Sequence, residues 1–118
     1  MKKTFHITGV GVDITEAKRF RTLLKQKKLH TLSKLFSSLE LDYCLSYKDP
    51  APHLAGTFAA KEASQKAMGD FSSPPHLLEI RRTKDGKPEV WVSGKRSKYL
   101  LISISHTLDT AIAVAYNQ

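Results

Sequence analysis

Residues 53–69 read HLAGTFAAKEASQKAMG, and this stretch decides the expected fold. It predicts a helix from about His53 to Met68, with Gly69 as a left-handed cap at its end. Before it, Asp49-Pro50-Ala51-Pro52 interrupts the helical pattern, and after it Ser72-Ser73-Pro74-Pro75 is a connection. Beyond the connection the pattern changes from helical to extended, which places the chain in the α+β class.

The segment before the long helix combines a strand with helical pieces. His6 to Asp13 is short, Gly-interrupted and rich in Ile and Val, as in a strand that lets other backbone or a ligand come close. Thr15 is the expected N-cap of a basic amphipathic helix over residues 15–28. Shorter helical pieces are expected over Leu32–Phe36 and Ser38–Tyr47.

The segment after the connection predicts an antiparallel sheet. Asp85-Gly86 is a strong hairpin signal between the first two strands. Lys95–Tyr99 fits one turn of helix, and His106–Thr110 is short enough for another antiparallel link. The expected strands are Leu77–Arg82, Glu89–Ser93, Leu100–Ser105 and Ala111–Tyr116. The whole chain, residues 1–118, is then a single α+β domain with an antiparallel sheet and one long helix.

The composition describes a soluble protein that attracts polyanions. Nineteen Lys and Arg against 11 Asp and Glu give a net charge of +8 and a pI near 9.7. Residues 18–34 are rich in Lys and Arg and carry no acidic residue, so they form either a docking face or a solvated basic helix. Nucleic acid, an anionic membrane surface, an acidic protein and a phosphate-bearing small molecule all suit such a face.

Targeting signals are missing from the sequence, and its single cysteine limits its chemistry. It lacks a long apolar run and an export signal, so a cytoplasmic location is expected. The lone Cys44 excludes an intrachain disulfide and is expected in the core.

Three places hold polar residues that a packed core does not need. Asp13 ends the first strand and is either a cap or surface residue, or an oxygen ligand for Mg²⁺. Glu62 and Lys66 lie one helical turn apart and are either an ordinary surface pair or a functional pair. In the functional pair, Glu62 is a second carboxylate for the metal and Lys66 neutralises charge on a departing phosphate. In Ser103-Ile104-Ser105-His106, phosphate or substrate contact suits the residues better than a Ser/His nucleophile, and the alternative is a structural histidine at a strand end. Walker and dinucleotide fingerprints are not found.

Four segments together resemble the holo-acyl-carrier-protein synthases, the short 4′-phosphopantetheinyl transferases. In chain order they are Gly11-Val12-Asp13-Ile14, residues 58–69 (FAAKEASQKAMG), Gly86-Lys87-Pro88 and Ser103-Ile104-Ser105-His106-Thr107. The resemblance implies Mg²⁺-dependent transfer of 4′-phosphopantetheine from coenzyme A to a serine of apo-acyl carrier protein. It also implies a homotrimer with active sites between subunits, and neither nucleic acid nor membrane as a partner.

The resemblance also implies roles for individual residues. Asp13 and Glu62 would bind Mg²⁺, and either Glu62 or a metal-bound water would help to remove the serine proton. Lys66 would stabilise or protonate the departing bisphosphate. Arg19 would meet the carrier protein. The coenzyme A nucleotide would contact Lys61, Lys87, Pro88, Ser105 and His106.

One departure concerns Thr57, which stands where that family commonly has Arg, so one anion contact is either missing or supplied elsewhere, by Lys48 or Lys61. The alternative function is a non-enzymatic basic module that binds nucleic acid or an acidic protein, and it accounts only for the charge.

Overall fold

A long helix carries two small sheets and a layer of short helices in the computed structural model, which describes residues 6–71 and 77–118. The elements are β1 (Gly9–Glu16), α1 (Ala17–Lys25), α2 (Leu29–Leu35), α3 (Ser38–Leu45), α4 (Ala51–Met68), β2 (Leu78–Arg82), β3 (Pro88–Val92), β4 (Lys95–Arg96), β5 (Leu100–His106) and β6 (Thr110–Asn117). The α+β class is confirmed. The strands form two antiparallel sheets of three strands each. No helix in these ranges is long and apolar enough to cross a membrane.

Strand β1 lies directly on α4 because its inward positions are glycines. A Cβ atom added at Gly11 would overlap the carbonyl oxygen of Ala63, and one added at Gly9 would overlap that of Ala67. The strand and the helix therefore meet backbone to backbone, closer than any side chain would allow. Asp13 and Thr15 continue the same face of the strand, since side chains alternate along it.

The first sheet has the order β1-β6-β5 and leaves one whole face open. Alanines of β6 pack inward on α4, and all are buried. Outward, strand pairing aligns three rows, in which Val10 faces Tyr116, Val12 faces Val114 and Ile14 faces Ile112. Ile14 is 69% exposed. The outer apolar face, as we call it, consists of Val10, Val12, Ile14, Leu101, Ile112, Val114 and Tyr116.

The second sheet, β2-β3-β4, closes the other end of the core around Leu78, Ile80 and Val90. The predicted hairpin at Asp85-Gly86 joins β2 and β3, with Gly86 at a φ of 85°. The turn of helix predicted over Lys95–Tyr99 is wrong. Ser93 and Gly94 both have positive φ and make a two-residue turn that pairs Val92 with Lys95, which starts β4.

Helices α1 to α3 cover the N-terminal half of α4 through a second apolar cluster. Its centre is a trio of phenylalanines, Phe20, Phe36 and Phe58, whose ring centroids lie 5.5–6.4 Å apart. Cys44 is fully buried in the same cluster, as predicted, and burial raises the pKa of its thiol to about 11. Ser37 and Glu40 form a capping box that starts α3.

The predicted boundaries hold for the long helix and need correction near β1. Helix α4 ends at Met68 with Gly69 in the left-handed conformation at a φ of 68°, as predicted, and begins at Ala51, two residues before the predicted start at His53. Thr15 is not a helix cap, because β1 stays paired with β6 through Glu16 and α1 begins only at Ala17. The connection Ser72-Ser73-Pro74-Pro75 lies outside the described residues.

We expect Gly11→Ala to destabilise the fold by about 3 kcal/mol, because the new methyl group has to push β1 off α4. Chemical denaturation followed by circular dichroism measures the change. Asp42→Glu is the control, since it adds one carbon at an exposed position of α3 and should cost less than about 0.5 kcal/mol. Equal stability of the two variants would show that the β1–α4 contact does not need glycine.

Candidate active site

An open cavity of about 500 Å³ lies where β1, α1 and α4 meet. Two residues selected from the sequence, Asp13 and Glu62, line it, together with Arg19 and Phe58. Because β1 runs against α4, an aspartate from the strand and a glutamate from the helix reach one volume although 49 positions separate them. The sequence analysis predicted the residues, and the glycine-mediated packing explains how they meet.

Each oxygen of the Asp13 carboxylate has a different partner. The Thr15 hydroxyl donates to Oδ2 at 2.7 Å, from two positions along the same strand face. Lys66 Nζ lies 3.4 Å from Oδ1 and donates to the carbonyl oxygen of Val12 at 2.9 Å. Asp13 is 16% exposed and Lys66 is 45% exposed, so the ion pair lies at the rim of the cavity. Lys66 therefore turns away from Glu62 and does not form the ordinary helix surface pair.

Glu62 is half-buried and open to the cavity, and it has neither a hydrogen bond nor an ion pair among the described residues. A carboxylate in this position is available to a ligand. The carboxylates of Asp13 and Glu62 offer oxygen ligands, which suit Mg²⁺. This ion is usually bound by one or two carboxylates, with waters and substrate phosphate oxygens as its other ligands. Residues 6–71 and 77–118 contain no group of three or more His, Cys, Asp or Glu side chains that could hold a metal ion. The residues present fit Mg²⁺.

Lys61 does not reach a ligand site, and its predicted contact with the nucleotide is wrong. Its side chain is 2% exposed, and its ammonium donates to Glu40 Oε1 at 2.7 Å and to the Leu35 carbonyl at 3.0 Å. Glu40 is equally buried and accepts a further bond from the Ile80 amide at 2.8 Å. The pair is satisfied on both sides, so Lys61 ties α2, α3 and β2 to α4.

His106 lies in a second cavity of about 220 Å³, beside aromatic and basic side chains that sequence reasoning missed. The imidazole of His53 stacks on Tyr47, with ring centroids 3.5 Å apart, and meets His106 edge-on at 4.9 Å. Arg82 lies over the ring of Tyr43 at 4.8 Å and lines the same cavity. Burial, with the neighbouring His106 and Arg82 charges, lowers the pKa of His53. This cavity has the donors for an anion.

The Thr57 side chain faces the interior and is not exposed to a bound anion. It is buried, and its hydroxyl donates to the His53 carbonyl at 2.9 Å within α4. Arg82 is the cation that lines the nearby cavity instead. Strand alternation carried a signal for it, because Arg82 shares the face of the buried Leu78 and Ile80 on β2 and Arg81 does not.

The remaining predicted residues lie elsewhere. Lys87 and Pro88 line a third, small cavity of about 90 Å³ between β3 and β5. Ser105 is exposed on β5, in the row of the outer apolar face that contains Ile112. His106 Nδ1 lies 3.2 Å from the Thr107 carbonyl oxygen, and no bond joins His106 to Ser105 or Ser103 in the described part of the chain, so the structure does not contain a Ser/His nucleophile.

Arg19 is exposed on α1 and joins two open cavities. Its guanidinium lies 4.6 Å from the centroid of Phe58 and 5.3 Å from that of Phe20. It lines the cavity of Asp13 and Glu62 and also a groove of about 570 Å³ between α1 and α2. A ligand in this groove therefore contacts Arg19 next to the two carboxylates.

Comparisons with known proteins point in one direction. The sequence profile of the 4′-phosphopantetheinyl transferase superfamily matches residues 9–116. The chain is 36% identical to the holo-[acyl-carrier-protein] synthase of Syntrophotalea carbinolica, over 92% of this chain and 93% of that protein.

Two crystal structures also superpose on nearly the whole chain. The synthase from Neisseria meningitidis is 27% identical, with a TM-score of 0.81 over 96% of this chain and 99% of that one. The synthase from Bacillus anthracis, solved in complex with CoA (3′,5′-ADP), is 28% identical, with a TM-score of 0.78 over 94% and 96% of the two chains. The resemblance found in the sequence is therefore confirmed by independent comparisons of sequence and of structure.

Proposed function

The chain belongs to the 4′-phosphopantetheinyl transferase superfamily, and we propose that it transfers the 4′-phosphopantetheine group of coenzyme A to a serine of an apo-acyl carrier protein. The products are holo-acyl carrier protein and adenosine 3′,5′-bisphosphate. One observation carries the assignment of the chemistry to this chain: Asp13 and Glu62 line one open cavity, and Lys66 pairs with Asp13. Coenzyme A is an intracellular cofactor, so we place the reaction in the cytoplasm.

The residues around this cavity supply positioning and charge, which are the main needs of phosphoryl-type transfer. Asp13 and Glu62 would hold Mg²⁺, which when bound neutralises charge on the diphosphate. Glu62, which lacks a partner in the described residues, accepts the proton of the serine hydroxyl as its oxygen forms the new bond to phosphorus. The bond from phosphorus to the bisphosphate oxygen breaks, and Lys66 stabilises the negative charge on that oxygen.

The cavity of His106 is our candidate for a phosphate of coenzyme A. His106, His53 and Arg82 line it, and Arg82 provides the permanent positive charge that Thr57 cannot. Arginine suits phosphate because its planar guanidinium donates two parallel hydrogen bonds. Lys87, Pro88 and Ser105 would contact other parts of the nucleotide.

The groove between α1 and α2 is our candidate for the carrier protein. Arg19 lies at its edge beside the carboxylates, and Lys18 also lines it. The acid-free run of residues 18–34 surrounds this groove with positive charge. A partner with an acidic surface would be steered to it, and the association would weaken as salt rises.

A homotrimer with active sites between subunits explains two features of the single chain. The outer apolar face is continuous over β1 and β6 and reaches Leu101 on β5, and an exposed face of this kind marks an interaction site. The proposed nucleotide contacts, meanwhile, are divided between separate cavities. We propose that copies of the chain cover the outer apolar face and bring residues of different cavities together.

We expect apo-acyl carrier protein incubated with this protein, coenzyme A and Mg²⁺ to gain the mass of one phosphopantetheine arm. Asp13→Ala and Glu62→Ala should each slow the gain by about a hundredfold or more, because each removes a metal ligand. Intact-mass spectrometry over time measures the gain. Asp42→Ala removes an exposed carboxylate on α3 and should react at the wild-type rate. No gain with several carrier proteins, with or without Mg²⁺, would refute the function and favour a basic binding module.

We expect Arg19→Glu and Arg82→Met to affect different substrates. Arg19→Glu should raise the KM for the carrier protein by at least about tenfold and leave the KM for coenzyme A near wild type. Arg82→Met should do the reverse, because it removes a charged donor from the proposed phosphate cavity. Steady-state kinetics with each substrate varied in turn gives all four values. Equal loss of both substrates in either variant would contradict the division.

We expect Ile112→Lys to dissociate the trimer, because it puts a charge on the central strand of the outer apolar face, away from the cavity of Asp13 and Glu62. Sedimentation velocity measures the assembly state, and the activity of the variant should fall with it. Leu45→Lys is the matched control, since Leu45 is an exposed leucine on α3. A wild-type protein that sediments only as an active monomer would rule out the shared site.

A further inference from the structure

Lys66 occupies two acceptors on β1, one of which belongs to Asp13 in the lining of the catalytic cavity. Its ammonium lies 3.4 Å from Asp13 Oδ1 and 2.9 Å from the Val12 carbonyl oxygen. The other Asp13 oxygen, Oδ2, accepts from the buried Thr15. Both oxygens of Asp13 therefore have partners when no substrate is bound, and a metal ion bound to this carboxylate would have to share it with the Lys66 ammonium.

We propose that Lys66 is the internal counter-ion of Asp13 in the free enzyme, and that it competes with Mg²⁺ for this carboxylate until a phosphate of coenzyme A draws it away. This inference rests on the proposed function. An ammonium and a divalent cation repel each other at such separations, so each weakens the binding of the other. Once a phosphate pairs with Lys66, Asp13 is released to the metal. The metal and the nucleotide then bind with positive coupling.

The surroundings allow the side chain to move while the backbone stays fixed. Lys66 is 45% exposed, which leaves its long side chain free to turn towards a ligand. The backbone beneath it is held, because the next residue, Ala67, is in contact with Gly9 and Gly11. Thr15 still fixes Oδ2, so the carboxylate keeps its orientation when the lysine leaves. The exchange of partners thus needs one side-chain rotation.

The test measures metal binding without turnover. Mn²⁺, which accepts the same oxygen ligands as Mg²⁺, is titrated into wild type, Lys66→Met and Lys95→Met, with free Mn²⁺ followed by electron paramagnetic resonance. Lys95→Met removes an exposed charge from β4 in the other sheet. We expect Lys66→Met to bind Mn²⁺ at least about threefold more tightly than wild type, and Lys95→Met to match wild type. Coenzyme A should tighten Mn²⁺ binding by a larger factor in wild type than in Lys66→Met.

Each other outcome has a definite meaning. Equal or weaker Mn²⁺ binding by Lys66→Met would overturn the counter-ion role, and so would an equal effect of coenzyme A on both proteins. If Lys95→Met also bound Mn²⁺ more tightly than wild type, the gain in affinity would come from the lower net charge of the protein, and the inference would be overturned. A different failure concerns the proposed function itself: if neither wild type nor Lys66→Met binds Mn²⁺, with or without coenzyme A, the metal site assigned to Asp13 and Glu62 is wrong.

Discussion

The contact between β1 and α4 is the constraint on which the rest of the structure depends. Gly9 and Gly11 bring the strand onto the alanine side of the helix until backbone meets backbone. This contact also fixes which other residues of β1 face α4, since side chains alternate between the two faces of a strand. Asp13 must then lie beside the helical turn that carries Glu62 and Lys66. The site is a consequence of tight packing and not of a loop shaped around a ligand.

Two neighbouring residues of α4 show how the helix separates stability from chemistry. Lys61 points into the protein and pairs with Glu40, while Glu62 opens on the cavity. Consecutive positions on a helix are about 100° apart, so Lys61 faces the short helices while Glu62 faces the side of β1. The buried pair fixes the rotation of α4 against α3 and β2, because Glu40 also accepts from the Ile80 amide. That rotation in turn determines where Glu62 lies.

Local sequence signals predicted the elements that local forces determine. The long helix with its Gly69 cap and the Asp85-Gly86 hairpin follow from backbone preferences over a few residues. Thr15 was misassigned because its cap preference is weaker than the pairing of β1 with β6, whose residues are about a hundred positions away. Lys61 was misassigned for the same reason, since helical spacing cannot reveal that Glu40 is buried opposite it. Ser93-Gly94 was a readable turn signal that pointed to β4.

The division of polar residues within one chain has a physical origin in its size. A chain of 118 residues buries a modest core, and almost all of α4 is used in doing so. Little interior is left to enclose a nucleotide, and the residues proposed to contact it line separate surface cavities. The same shortage leaves the outer apolar face of the β1-β6-β5 sheet exposed among residues 6–71 and 77–118. Association of copies would cover that face and enclose the cavities together. In that case assembly and substrate binding would both compensate for the small surface that one chain can bury by itself.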